Sequence, residues 1–129
     1  MNSQPLVTMH LQPSGRLQRQ DRLAHKGEFD AVFKRGRRAH GPHLHVVARI
    51  LPDRPTRPLL GLAIARGVGH APARARLRRL TREAFRALRP LLQKPVALIV
   101  SARQPWPHAQ LADVLAEMAL LIRQLHLTP

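Results

Sequence analysis

The sequence contains no cysteine, and aromatic residues make up only 3% of its 129 residues. Without cysteine, the chain can form no disulfide framework, no thiolate metal site and no thiol nucleophile. With so few aromatic rings, it has little material for a broad platform on which bases stack. It also lacks an apolar run near the roughly 18 residues of a membrane span, and no cationic start followed by an apolar block marks a secretory signal. We therefore expect a soluble cytoplasmic protein with no membrane partner.

Acidic residues are scarce as well, since seven Asp and Glu stand against 22 Lys and Arg, for a net charge of +15. Nineteen of the 22 cations are arginine, whose planar guanidinium binds phosphate oxygens in pairs. Charge of one sign at this density opposes compaction, so the expected partner is a polyanion and not a small-molecule substrate. The hydrophobic content of 44% is ordinary for a globular domain and argues against a disordered basic tail.

The length fits one domain with a short preceding segment. Residues 1–19 contain scattered proline, serine and glycine and sustain no periodicity, which predicts a flexible N-terminal tail. Residues 20–127 predict an α+β domain of order α-β-β-α-β-α, with helices packed on a small sheet. The predicted elements are a helix from Arg22 to Gly36, strands at 43–51 and 59–65, a helix at 72–89, a strand at 96–100 and a helix at 111–125.

The predicted helix at 72–89 carries most of the evidence for function. An apolar stripe runs along it, and most of its seven arginines are expected to cover the surface opposite the stripe. Like charges four residues apart destabilise a free helix by a few tenths of a kcal/mol per pair. Bound phosphates would remove that cost, so we predict a nucleic-acid-binding helix in preference to an ordinary solvated face. Its arginines are Arg74, Arg76, Arg78, Arg79, Arg82, Arg86 and Arg89.

The loop Gly67-Val68-Gly69 precedes this helix and has neither the third glycine of a dinucleotide fingerprint nor the Gly-Lys-Ser/Thr of a Walker loop. A tight turn at Gly69 and His70 would present backbone N–H groups at a helix N-terminus, where a phosphate of a polymer binds well. The alternative is a strand-to-helix turn with no further role.

Catalytic and metal-binding patterns are missing. Phosphodiester hydrolysis by two metal ions needs clustered carboxylates, and the closest acids, Glu28 and Asp30, point in different directions on a helix. His43 and His45 alternate on a predicted strand and would face the same side, with His40 nearby, but no cysteine or carboxylate completes a zinc site there. These histidines are expected to contact RNA. We predict no catalytic residue, no bound metal and no cofactor in the polypeptide.

Residues 66–86, Arg-Gly-Val-Gly-His-Ala-Pro-Ala-Arg-Ala-Arg-Leu-Arg-Arg-Leu-Thr-Arg-Glu-Ala-Phe-Arg, resemble the signature helix of the bacterial ribonuclease P protein component, S-K-K-x-G-N-A-x-x-R-N-R-x-K-R-x-x-R-E. Gly67, His70 and Ala75 replace a Lys and two Asn of that signature. Arg22-Leu23 with residues 29–36 resembles the first helix of the family, and residues 102–105 resemble the turn after its last strand.

This resemblance implies a two-layer α/β sandwich of the ribosomal protein S5 domain 2-like type, with a four-stranded sheet and a left-handed crossover. It implies a subunit of ribonuclease P that binds the catalytic RNA and the 5′ leader of precursor tRNA. The RNA subunit would perform Mg²⁺-dependent hydrolysis that frees the mature 5′ end. A structural RNA-binding protein of similar fold, ribosomal or an assembly factor, is the alternative.

The predicted site has two parts. Phe29 and Phe33 would line the cleft for the leader by resemblance, or would simply pack in the core. His43, His45 and Val47 lie on the strand that would form the floor of this cleft, where relatives usually carry an aromatic residue. The residues expected against the RNA subunit are Arg66, Gly69, His70, Arg74, Arg76, Arg78, Arg79, Arg82 and Arg86.

Overall fold

The computed structural model describes residues 21–23, 26–51, 58–92 and 95–127. The predicted tail at 1–19 lies outside these residues. The helices are α1 (Lys26–Arg35), α2 (Ala71–Leu88) and α3 (Leu111–Gln124), and single 3₁₀ turns occupy Arg66–Val68 and Arg89–Leu91. The strands are β1 (Arg37–His40), β2 (His45–Ile50), β3 (Leu59–Ile64) and β4 (Val96–Ala102). No helix within these ranges combines the length and apolar character needed to cross a membrane.

The four strands form one mixed sheet in the order β1-β2-β4-β3. The pairs β1–β2 and β2–β4 are antiparallel, whereas β3 and β4 are parallel and are connected through α2. Arg22 extends the sheet by a parallel bridge to the outer side of β3, where the Leu23 N–H donates to the Leu60 carbonyl at 2.9 Å. The N-terminal end of the described chain is thereby attached to the edge strand that lies closest to α2.

Both faces of the sheet are covered. Side chains alternate along a strand, so Leu98 and Val100 of β4 pack under α2 and α3, whereas Ala97 and Ile99 face α1. All five strand residues from Val96 to Val100 are buried, which explains the uninterrupted apolar run in the sequence. The sheet therefore holds α2 and α3 on one side and α1 on the other.

The predicted α+β sandwich with a four-stranded sheet is confirmed, but the element order contains one more strand, α-β-β-β-α-β-α. The sequence Arg-Arg-Ala-His of β1 has no strand-like apolar pattern, because only Ala39 of this edge strand is buried. The predicted strand at 43–51 was also too long at its start, since β2 begins at His45.

Candidate nucleic-acid interface

The turn between β3 and α2 places the start of α2 at the surface. Gly69 has φ of 147°, a backbone conformation that favours glycine, and it brings the chain from the 3₁₀ turn into the helix. Gly67 lies so close to the Arg103 carbonyl that a side chain there would collide with it. His70 is the N-cap residue, and its side chain makes no capping hydrogen bond. The N-terminal amides of α2 can therefore receive an external anion.

The arginines of α2 lie on three sides of the helix. The buried line through Leu77, Ala84 and Leu88 defines the side that faces the sheet. At 100° per residue, Arg74, Arg78 and Arg82 follow the flank beside β3, Arg79 and Arg86 point outward, and Arg76 lies on the flank toward residues 105–109. The sequence predicts that most of these arginines lie opposite the apolar stripe. Arg79 and Arg86 do so, but the line of Arg74, Arg78 and Arg82 adjoins the sheet.

Arg22, Arg78 and Arg82 converge around a cavity of about 240 Å³ at the edge of β3, and we name them the edge cluster. Burial lowers the pKa of Arg82, and the positive charges of Arg22 and Arg78 lower it further. No acidic side chain of the described chain forms an ion pair with any of the three. The fold thus brings like charges together at a site where an anion would relieve their repulsion.

Two arginines near the end of α2 already have acidic partners. Arg86 Nη1 lies 2.9 and 3.0 Å from the two carboxylate oxygens of Glu83. Arg89 Nη1 lies 3.0 Å from Oδ2 of Asp21, which is fully buried. Ion pairing leaves Arg86 less charge to offer a phosphate than its sequence position suggests.

The other predicted RNA contacts differ in their availability. Arg76 Nη2 donates to the Ala109 carbonyl at 2.5 Å and so holds the loop before α3. Arg74 has a buried Nε that makes no hydrogen bond. Among the arginines predicted to contact RNA, those that form no ion pair within the described ranges are Arg66, Arg74, Arg76, Arg78, Arg79 and Arg82.

Helix α1 and the sheet form the predicted cleft. Phe29 packs over Gly61, where no side chain separates the ring from β3, and Phe33 carries the Arg38 guanidinium 4.6 Å from its ring centroid. Both rings also contact the apolar cluster beneath α1 and are only partly buried. Val47 is buried in this cluster and belongs to the core, which corrects its predicted place as a lining residue of an open cleft.

His45 lies two residues before Val47 on β2 and therefore on the same face of the sheet. Its ring meets that of His40 edge to face, with centroids 4.4 Å apart. Burial lowers the pKa of His45, the charges of His40 and Arg103 lower it further, and Glu117 acts in the opposite direction. The open floor of the cleft is therefore formed by the pair His40 and His45.

His43 does not share this surface, which corrects the prediction that His43 and His45 face the same side. Its ring stacks on Trp106 at 3.9 Å with an interplanar angle of 2°. Its Nδ1 lies 3.0 Å from Glu117 Oε1, while its backbone N–H donates to Oε2 at 2.8 Å. The Leu44 N–H donates to the same Oε2 at 2.5 Å. His43 thus links the loop before β2 to α3. Within the described residues, no three histidine, aspartate or glutamate side chains are grouped as metal ligands.

Comparison with known proteins agrees with this architecture. The family model described as Ribonuclease P matches residues 17–126. A ribonuclease P protein component from Desulfovibrio desulfuricans is 36% identical over 113 residues, covering 84% of this chain and 85% of its own length. The Staphylococcus aureus RNase P protein superimposes with a TM-score of 0.75 at 18% identity, over 84% of this chain and 98% of that one. The Thermotoga maritima RNase P protein gives 0.69 at 25% identity, over 79% and 96%.

The chain therefore has the fold of the bacterial RNase P proteins, a mixed four-stranded sheet with an arginine-rich helix after its parallel edge strand. It belongs to the ribonuclease P protein component family. Membership makes it a protein subunit of an endoribonuclease and gives it an RNA partner in a ribonucleoprotein.

Sequence reasoning missed two cationic side chains of this surface. Arg22 joins the edge cluster through a single bridge to β3, and Arg38 lies on the strand that was not predicted. The motif Arg22-Leu23 was a signal for the first of these. Alternation along residues 37–40 was too short to reveal the second.

Proposed function

We propose that this protein binds the catalytic RNA of ribonuclease P through the α2 surface and the edge cluster, and binds the 5′ leader of precursor tRNA in the cleft beside α1. The observation that carries the proposal is the convergence of Arg22, Arg78 and Arg82 without an acidic partner in the described chain. Repulsion among three guanidiniums favours a state in which phosphates lie between them.

The α2 surface is suited to a folded RNA because its cations lie along one rigid helix. Arg74, Arg78 and Arg82 are spaced at four residues, about 6 Å apart along the helix axis. That spacing is close to the distance between successive phosphates of a strand, so neighbouring arginines would bind neighbouring phosphates. The free N-terminal amides at His70 add an uncharged anion site at one end.

The cleft is suited to a single strand because it combines partly buried rings with groups that donate hydrogen bonds. Phe29 and Phe33 offer ring edges, and the pair His40 and His45 offers imidazole faces and N–H groups. Unpaired bases are bound by such stacking and polar contacts without strong sequence preference. Arg38, held over Phe33, would supply a phosphate contact at the entrance.

In this proposal the polypeptide supplies binding and charge neutralisation, and Mg²⁺-dependent hydrolysis is performed by the RNA subunit. Two polyanions, the catalytic RNA and the precursor, must approach each other, and fixed cations reduce the counterion concentration that this requires. No cofactor is needed by the chain itself. The reaction would take place in the cytoplasm.

The test is reconstitution with a protein-free ribonuclease P RNA at low Mg²⁺. We expect the full chain to stimulate cleavage of precursor tRNA at the mature 5′ end. Arg78→Glu should remove most of that stimulation, while Lys26→Gln, on an exposed turn of α1, should retain it. A substrate with a leader of one nucleotide should gain less from the protein than one with a long leader.

Each outcome separates the alternatives. RNA binding without stimulation would indicate a structural RNA-binding protein of similar fold. Cleavage by the purified chain with no RNA subunit present would indicate a protein nuclease and overturn the proposal. Equal stimulation for short and long leaders would leave the proposed binding of the catalytic RNA by α2 standing. It would reject the proposed binding of the leader in the cleft beside α1.

A further inference from the structure

A second cationic cavity lies at the opposite edge of the sheet from the edge cluster. It has a volume of about 350 Å³ and lies between the paired ends of β1, β2 and β4 and the end of α3. This is within the size range of small-ligand pockets, roughly 300–1,000 Å³. Its lining includes Arg35, Arg37, Ala48, Arg49, Val96 and Leu125.

The cavity combines an apolar floor with a cationic rim. Ala48, Val96 and Leu125 are buried and form the floor, while the guanidinium-bearing residues Arg35, Arg37 and Arg49 line the same cavity. Register explains the position of Arg37, because this residue of β1 pairs directly with Ala48 of β2. None of the described residues that line the cavity is acidic.

The three arginines are available to a ligand. In the described part of the chain, the side chains of Arg35, Arg37 and Arg49 have no hydrogen bond and no ion pair. The carbonyls of residues 121–123 near the end of α3 do not occupy them, since the closing turn satisfies these three groups. The N–H groups of Leu125, His126 and Leu127 donate to the carbonyls of residues 121, 123 and 122 at 3.0 to 3.3 Å.

We propose that this cavity binds one unstacked ribonucleotide of the RNA partner, with its base on the apolar floor and its phosphate on the arginine rim. This inference rests on the proposed function and extends it to a second RNA contact, on an edge of the sheet that α2 does not reach. A base presents a flat, largely apolar face, and guanidinium groups both stack on bases and bind phosphates in pairs. An apolar floor alone would not select an anion, and a cationic rim alone would not need a cavity.

The first experiment measures binding of adenosine 5′-monophosphate, adenosine and inorganic phosphate to the full chain by methyl NMR. We expect the nucleotide to shift the methyl signals of Ala48, Val96 and Leu125. It should bind about tenfold more tightly than adenosine or inorganic phosphate alone, since its base and its phosphate both contact the cavity. Arg37→Gln should lower the affinity for adenosine 5′-monophosphate about tenfold through loss of one charge-assisted hydrogen bond. Lys26→Gln is the charge-matched control and should leave this affinity unchanged.

A second variant blocks the space without removing charge. Ile50 is 42% exposed at the rim, so Ile50→Trp should narrow the cavity without disturbing the core. It should abolish the methyl shifts and weaken binding of the catalytic RNA, whereas Arg78→Glu should leave the mononucleotide shifts intact. Phosphate binding as tightly as the nucleotide, or shifts confined to methyls under α2, would overturn the proposal. Full stimulation of cleavage by Ile50→Trp would reject this cavity and leave the proposed function standing.

Discussion

Replacing Arg82 by glutamine should weaken RNA binding and slightly stabilise the free protein. Arg82 is the member of the edge cluster whose pKa is lowered by burial and by two neighbouring guanidiniums. Arginine stays protonated at neutral pH, so the fold carries this unfavourable interaction at every working pH. Removing the charge relieves repulsion from Arg78, four residues earlier, which is worth about 0.3 kcal/mol of unfolding free energy.

The expected loss in binding is larger. If the five arginines Arg66, Arg74, Arg78, Arg79 and Arg82 each neutralise a phosphate, the slope of log K against log salt is about −4. Arg82→Gln should reduce this slope to about −3 and lower the affinity about tenfold through loss of one charge-assisted hydrogen bond. Filter binding or fluorescence titration of the catalytic RNA at four salt concentrations measures the slope, and urea unfolding measures the stability.

Arg86→Gln is the matched control on the same helix. Arg86 shares its charge with Glu83 across 2.9 and 3.0 Å, so its removal should change the slope less and should reduce stability by about 0.3 kcal/mol. An unchanged slope in Arg82→Gln would refute the reasoning. So would a loss of unfolding free energy above about 1 kcal/mol, because Arg82 would then stabilise the fold by itself.

Three further changes test other contacts. Glu117→Ala should lower the free energy of unfolding by about 3 kcal/mol, measured in urea, because the backbone N–H groups of His43 and Leu44 lose their acceptor. Glu117→Gln should recover most of that loss. Because the pKa of His45 is lowered from 6.5, the unfolded state binds its proton first and stability should fall as the pH drops below about 6.5. His45→Gln should reduce this loss of stability at low pH. An unfolding free energy with the same pH profile in the variant would contradict the role given to His45. Arg76→Gln should destabilise the fold by about 1 kcal/mol through loss of its bond to Ala109, with the salt slope of RNA binding unchanged, and a slope reduced by one phosphate would show that Arg76 contacts RNA.

Much of the fold could be predicted because local patterns and burial agree. Residues 96–100 are apolar without interruption, and the structure buries them on both faces in β4. The steps that place Leu77, Ala84 and Leu88 on one side of a helix reappear as the buried line of α2. Strand β1 could not be predicted, because an edge strand with one buried side chain leaves no alternation to detect.

The candidate site was less predictable than the fold. The helical repeat places Arg74, Arg78 and Arg82 in one line, but it cannot show that Arg22 joins them from a segment more than fifty residues earlier. It also cannot show that Arg86 has an acidic partner or that His43 turns toward α3. These features depend on side-chain rotamers and on contacts between distant segments.

The amino-acid sequence by itself determined the excess of arginine, the periodicity of its helices and the motif that resembles the ribonuclease P proteins, because composition and local spacing do not depend on how the chain folds. The tertiary structure alone decided which guanidiniums converge and which are neutralised, since charges interact across the few ångströms that only packing establishes.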